Sequence, residues 1–267
     1  MNDKFVCCLR KDLKEYLRKK YNIICLGILL GFALLILLMS KYFPMILNMA
    51  IEKHNNILTG SDTLNHITTS VFPQTIKENI GIFSSDVIIF YGLVVIMIVH
   101  NIVPQELYSG KWIPPIGAGY TKKELLHSKA TIYSLGMSFP VLVIYNLYYI
   151  ATTFVLRNNY DVRIVIINSI VLAVIIFFIV YITIMLSVIY KKTMLSAITS
   201  SVIIIFAPDI FSLFSFCKYL PTYLLTYVYQ SSTLVYNLII PFIEMIAVYV
   251  VLIKIANKKI ETLEVLR

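Results

Sequence analysis

The chain has 267 residues, 59% of them hydrophobic and only 14% charged, with a formal net charge of +9 and a mean hydropathy of +0.82. A soluble domain is nearer half apolar and a quarter charged, so this composition excludes an ordinary soluble globule and implies one integral membrane domain. The basic excess is a topology signal and points to no nucleic-acid partner.

Residues 1–20 place Phe5, Leu9, Leu13, Tyr16 and Leu17 three or four apart, with Lys and Arg between them. That spacing predicts an amphipathic helix lying on the inner leaflet. The apolar run that follows has no small-x-small cleavage site, so it reads as a retained span over about 21–40 and not as a signal peptide. Residues 41–83, with Pro44 and Pro73, read as an outer loop. A second span covers about 84–104, and a polar insert occupies 105–129. The third span, about 130–156, contains Pro140 as a predicted kink, and the fourth covers 164–190. The fifth, 193–208, ends at Pro208-Asp209. Residues 209–233 are too broken for a span and too aromatic for a plain solvated loop. They read as an outer re-entrant segment with Tyr219, Tyr223, Tyr227 and Tyr229 at headgroup level. The sixth span, about 234–256, carries Glu244 near its middle.

The expected fold class is therefore an all-α membrane protein: six transmembrane helices over 21–267 behind an N-terminal amphipathic interfacial helix. Placing the N-terminus inside leaves Lys41, Lys53, Lys77, Arg157, Arg163 and Lys218 outside and every other Lys and Arg inside. Six spans return the C-terminus to the same side. The expectation is a multi-pass protein of the cell membrane with both termini cytoplasmic.

Motifs for chemistry are missing. The Gly-Lys pair, Gly110-Lys111, is followed by Trp112 and makes no phosphate loop. None of His54, His66, His100 and His127 begins an HExxH, and Gly136–Pro140 lacks the second Gly of a nucleophile elbow. Cys7, Cys8, Cys25 and Cys217 form no CxxC, which argues against metal or redox use. An enzyme acting alone is not expected. Two carboxylates fall at membrane depth, Glu244 and Asp209. Each suits either a substrate path or proton-sensitive gate, or a buried helix–helix hydrogen bond.

The insert 105–129 lies inside under this topology. Glu106, Leu107 and Tyr108 can form a helical turn that Gly110 breaks, and Trp112 and Ile113 then offer an apolar tip suited to a socket on a partner. Pro114-Pro115 argues against helix there, while Gly117 and Gly119 permit a reversal. Thr121 and Glu124 have the spacing of a capping box that restarts a helix. The same residues also suit a plain hairpin carrying inside-positive lysines.

The stretch from Glu106 to Lys129 resembles the cytoplasmic loop of the permease subunits of type-2 bacterial ABC exporters. The match rests on Glu106, Gly110, Gly119, Thr121, Lys122 and Lys129, and the plan of amphipathic helix, six spans and outer re-entrant segment is similar. Lys111 and Trp112 depart from the usual small or hydroxyl residue, and Pro114-Pro115 shortens the coupling helix. The resemblance implies a permease working with a dimer of ABC ATPase subunits and with a second permease copy or homologue in the lipid bilayer. This chain then binds no cofactor of its own; ATP and Mg reside on the partner. Glu106, Tyr108, Gly110, Lys111, Trp112, Gly119, Tyr120, Thr121 and Lys122 become the ATPase-coupling residues, and Glu244 and Asp209 the translocation path or gate. Peptides, drugs or lipid-like amphiphiles are the implied cargo, with antimicrobial-peptide immunity or export the narrower subgroup. An ion-coupled transporter or channel using Glu244 and Asp209, or a non-transporting membrane sensor or scaffold, are the alternatives.

Overall fold

The computed structural model describes residues 2–54, 76–156, 161–190, 194–202 and 239–263. These residues form helices and connecting turns, with no strand among them. The helices are α1 (Asn2–Arg18), α2 (Tyr21–His54), α3 (Ile76–Asp86), α4 (Gly92–Val99), α5 (Ile102–Tyr108), α6 (Ile113–Gly117), α7 (Lys122–Leu156), α8 (Val162–Tyr190) and α9 (Ile239–Thr262). A π-helical turn, Val87–Tyr91, joins α3 to α4. Residues 194–202 are also helical.

Five helical stretches among the described residues are long and apolar enough to cross a membrane: Tyr21–Tyr42, Ile76–Tyr108, Lys122–Leu156, Val162–Tyr190 and Ile239–Thr262. Of the expected fifth span, only residues 194–202 are described. The re-entrant segment 209–233, with Asp209, lies outside the described residues.

Two boundaries differ from the sequence reading. Helix α2 continues through Pro44 to His54, so residues 41–54 of the expected outer loop are helical. The Met-, Ile- and Leu-rich stretch after Lys41 favours helix, and a Pro within a long apolar helix is tolerated where neighbours re-satisfy the freed carbonyl. The next helix begins at Ile76, well before residue 84. Its polar residues divide: Lys77 and Glu78 are exposed, whereas Asn79 and Ser84 are fully buried, and Ser84 donates to the Ile80 carbonyl at 2.7 Å.

Pro104 has no N–H to offer the His100 carbonyl. The helix accordingly breaks at His100–Asn101 and resumes as α5. The His100 ring lies 2.9 Å from the Met97 carbonyl.

Helix α7 is the hub. It packs against α1, α2, α3, α8 and α9, while α8 carries α4, α5 and α9. It runs unbroken through Pro140. Four residues earlier, Gly136 lets α1 approach closely: a Cβ there would come within 2.3 Å of the Tyr16 ring. Tyr16 in turn meets Tyr133 edge-on at 5.2 Å between ring centres.

This packing divides α1 into three sectors. Cys8, Asp12 and Tyr16 are buried. Lys11, Lys14 and Arg18 form a cationic flank, and Val6, Leu13 and Leu17 an exposed apolar one. The expected apolar stripe is therefore split, because Tyr16 turns against α7 while Leu13 and Leu17 stay outside.

Candidate functional site at the base of the 109–121 loop

Two glycine caps shape the loop. At the end of α5, Gly110 takes φ +68°. The Lys111 N–H reaches back to the Glu106 carbonyl at 3.1 Å and the Gly110 N–H to the Leu107 carbonyl at 3.3 Å. This is the Schellman pattern, in which a left-handed residue closes the last turn. The end of α6 repeats it: Gly119 has φ +86°, Tyr120 N–H bonds Pro115 O at 3.1 Å, and Gly119 N–H bonds Ile116 O at 2.9 Å. Pro114-Pro115 does not prevent helix, contrary to the sequence expectation. The prolines lie in the first turn of α6, where no intrahelical N–H is needed.

Helix α7 then opens with a capping box. The Thr121 N–H donates to Glu124 Oε2 at 2.8 Å, and the Glu124 N–H donates to Thr121 Oγ1 at 3.1 Å. Each end satisfies an orphan donor of the other.

Trp112 is not an exposed tip. It is 1% exposed, and its Nε1–H donates to Glu106 Oε2 at 3.0 Å. The tight cap at Gly110 folds the indole back beneath α5, where burial of so large a ring is favourable and its N–H finds an acceptor. Glu106 is itself 4% exposed. Its other oxygen takes a hydrogen bond from Lys129.

Lys129 is 1% exposed and holds a buried ion node together. Its ammonium also lies 3.1 Å from Glu15 Oε2 and 3.9 Å from Asp12 Oδ1. Ser128 donates to Asp12 Oδ2 at 2.5 Å. An ammonium has three donors, and three carboxylates surround this one. The surplus negative charge is offset from the rim by Lys19, 2.8 Å from Glu15, and by Lys11, 3.7 Å from Asp12.

The two α1 acids respond oppositely to this setting. Burial pushes the Asp12 carboxyl up, and the opposing pull of Lys129, the Ser128 hydrogen bond and Lys11 does not cancel it. Burial also pushes Glu15 up, but the hydrogen bonds and charges of Lys19 and Lys129 prevail and hold it down at about 2.

A second tie joins α7 to the last helix. His127 lies 2.7 Å from Tyr181 OH and 2.8 Å from Asn257 Oδ1. A neutral Nε2–H tautomer satisfies both, donating to Asn257 and accepting from Tyr181. Lys123 pairs with Glu261 at 2.5 Å, and Lys122 donates to the Leu263 carbonyl at 2.5 Å.

The expected coupling residues thus divide. Glu106 and Trp112 point inward to the node. Tyr108 (62% exposed), Lys111 and Ile113 form the outer face of the loop. Gly110, Gly119 and Thr121 shape the backbone, half-buried Tyr120 follows the second cap, and Lys122 is tied to α9. Glu244 is half-buried on α9, far along the chain from the node, and its Oε2 has no hydrogen-bond partner among the described residues. Sequence reasoning missed Asp12, Glu15 and Ser128. The available signal was that Asp12 sits one turn from both Cys8 and Tyr16, an acid on an otherwise basic helix.

Comparison with protein-family models, with curated proteins and with solved structures finds no match to the chain.

Proposed function

We propose that this chain is the membrane subunit of an ATP-driven exporter, with the 109–121 loop as its contact to a separate ATPase. The loop and both termini then lie on the cytoplasmic side of the cell membrane, and two permeases, identical or homologous, enclose the path. The cargo class is peptides, drugs or lipid-like amphiphiles. The observation that supports this reading best is the sharing of Glu106 between Trp112 of the loop and Lys129 of α7, with Lys129 also bound to α1.

A force on the loop is passed through that node to α1, α5 and α7 together, because none of the buried charges can separate without losing its partner. The exposed residues Tyr108 and Ile113 make the contact, and Glu106 and Trp112 transmit it. Of the residues that resemble an exporter permease, Glu106 and Lys129 belong to the node, Gly110, Gly119 and Thr121 shape the backbone beside it, and Lys122 is tied to Leu263.

Purification of the full chain in mild detergent should bring down an ATPase. Tyr108→Ala with Ile113→Ala should weaken that association, whereas Trp112→Phe should leave the complex assembled and lower its transport-linked ATP hydrolysis. A loop that reagents reach from outside intact cells overturns the proposal.

The unpartnered Glu244 oxygen favours a second reading, an ion-coupled transporter. That reading requires transport without an ATPase, and its loss in Glu244→Gln.

A further inference from the structure

Between α1 and the loop lies an open cleft of about 550 Å³ whose walls include Lys11, Lys14, Arg18 and Lys111, together with Glu15 and Glu106. The two acids face inward charge: Lys129 engages both, and Lys19 engages Glu15 as well. Lys11 is shared with Asp12. Among the described residues, Lys14, Arg18 and Lys111 form no ion pair. The cleft therefore has a surplus of uncompensated cationic donors, from two elements, converging on a space the size of a small-molecule site.

The same turns of α1 supply an apolar edge. Leu13 and Leu17 are exposed, and they alternate in sequence with Lys14 and Arg18. A helix with exposed leucines beside cationic side chains lies where hydrocarbon meets headgroups. A soluble anion would use the cations alone. A membrane lipid satisfies both: its chains meet Leu13 and Leu17, and its phosphate reaches the cleft. A choline or ethanolamine headgroup would bring a further positive charge among cations and is disfavoured. An anionic headgroup adds none.

We propose that this cleft binds the phosphate of an anionic phospholipid from the leaflet on which α1 lies. Lys14 and Arg18 hold the phosphate from the helix, and Lys111 closes on it from the loop. The lipid fastens α1 to the loop from outside, as the Lys129 node fastens it from inside. This inference stands on the cleft and on α1, and does not require that the chain be an exporter.

The test uses the full chain in a neutral detergent with equal amounts of phosphatidylglycerol and phosphatidylcholine, the retained lipid being counted by native mass spectrometry. Phosphatidylglycerol should be retained in preference. Lys14→Gln with Arg18→Gln should lower its retention at least about tenfold, since charge-assisted hydrogen bonds to phosphate are lost. Both side chains are exposed and form no ion pair among the described residues, so the variant should keep the fold. Lys258→Gln on α9 should leave retention unchanged. Equal retention of the two lipids, or an equal loss in the Lys258 variant, overturns the site. Displacement of the lipid by inorganic phosphate at matched concentration overturns the lipid assignment in favour of a soluble anion.

Discussion

The Trp112 indole donates to Glu106 at 3.0 Å, and the same carboxylate accepts from the Lys129 ammonium. One side chain of α5 is thus the junction between the loop and the hub helix. A residue that looks from its neighbours like a docking knob is an internal strut, and the outer surface of the loop falls to Tyr108, Lys111 and Ile113.

The strut has a direct optical signature, because Trp112 is the chain's single tryptophan. Its emission should be blue-shifted and shielded from soluble acrylamide in the folded protein. Quenching like that of free indole would place the ring outside and remove the node's link to the loop.

Lys129→Met should be among the most damaging single changes. It leaves Asp12, Glu15 and Glu106 facing one another with no buried cation, and breaking a buried ion cluster at one partner costs about 3–5 kcal/mol. Thermal unfolding in detergent measures the loss. Adding Glu106→Gln to Lys129→Met should recover part of it, because one uncompensated charge is removed.

Gly136→Ala should force the Tyr16 ring away from α7, since the added carbon would lie 2.3 Å from it. Overpacking of this kind costs about 1–3 kcal/mol. The ring belongs to an aromatic group with Tyr21 and Tyr133, so the displacement spreads to the start of α2. Tyr16→Leu in the same chain should relieve the clash, and a melting temperature insensitive to Gly136→Ala would show that α1 does not seat there.

Acidification should act through Glu15. Its folded value, about 2, lies below its ordinary 4.5, so its contribution to stability is full above about 4.5 and is lost as the pH falls towards 2. Asp12 works in the opposite sense, since its raised value makes protonation easier in the folded chain and adds stability as the pH falls through it. Glu15→Gln should therefore flatten the decline of melting temperature below about pH 4.5, while Asp12→Asn should leave that decline in place.

What could be read from the residues was local. Long uncharged runs make spans, because backbone polar groups in lipid must bond within their own segment. Gly110 and Gly119 mark reversals because positive φ suits glycine, and the Thr121–Glu124 spacing alone indicated the start of α7. The extension of α2 past residue 40 was hidden by Lys41 and Pro44, and the early start at Ile76 by polar residues, of which Asn79 faces inward.

The sequence by itself thus determined that the chain is helical and apolar enough for membranes, and where its main reversals lie. Only tertiary structure decided which face each helix buries. In runs apolar on every side, no periodicity distinguishes lipid from neighbour. Glu15 and Asp12 lie 114 and 116 positions from the α7 residues that bind them. Such a cluster forms only when packing brings distant helices together, and local propensity carries no record of it.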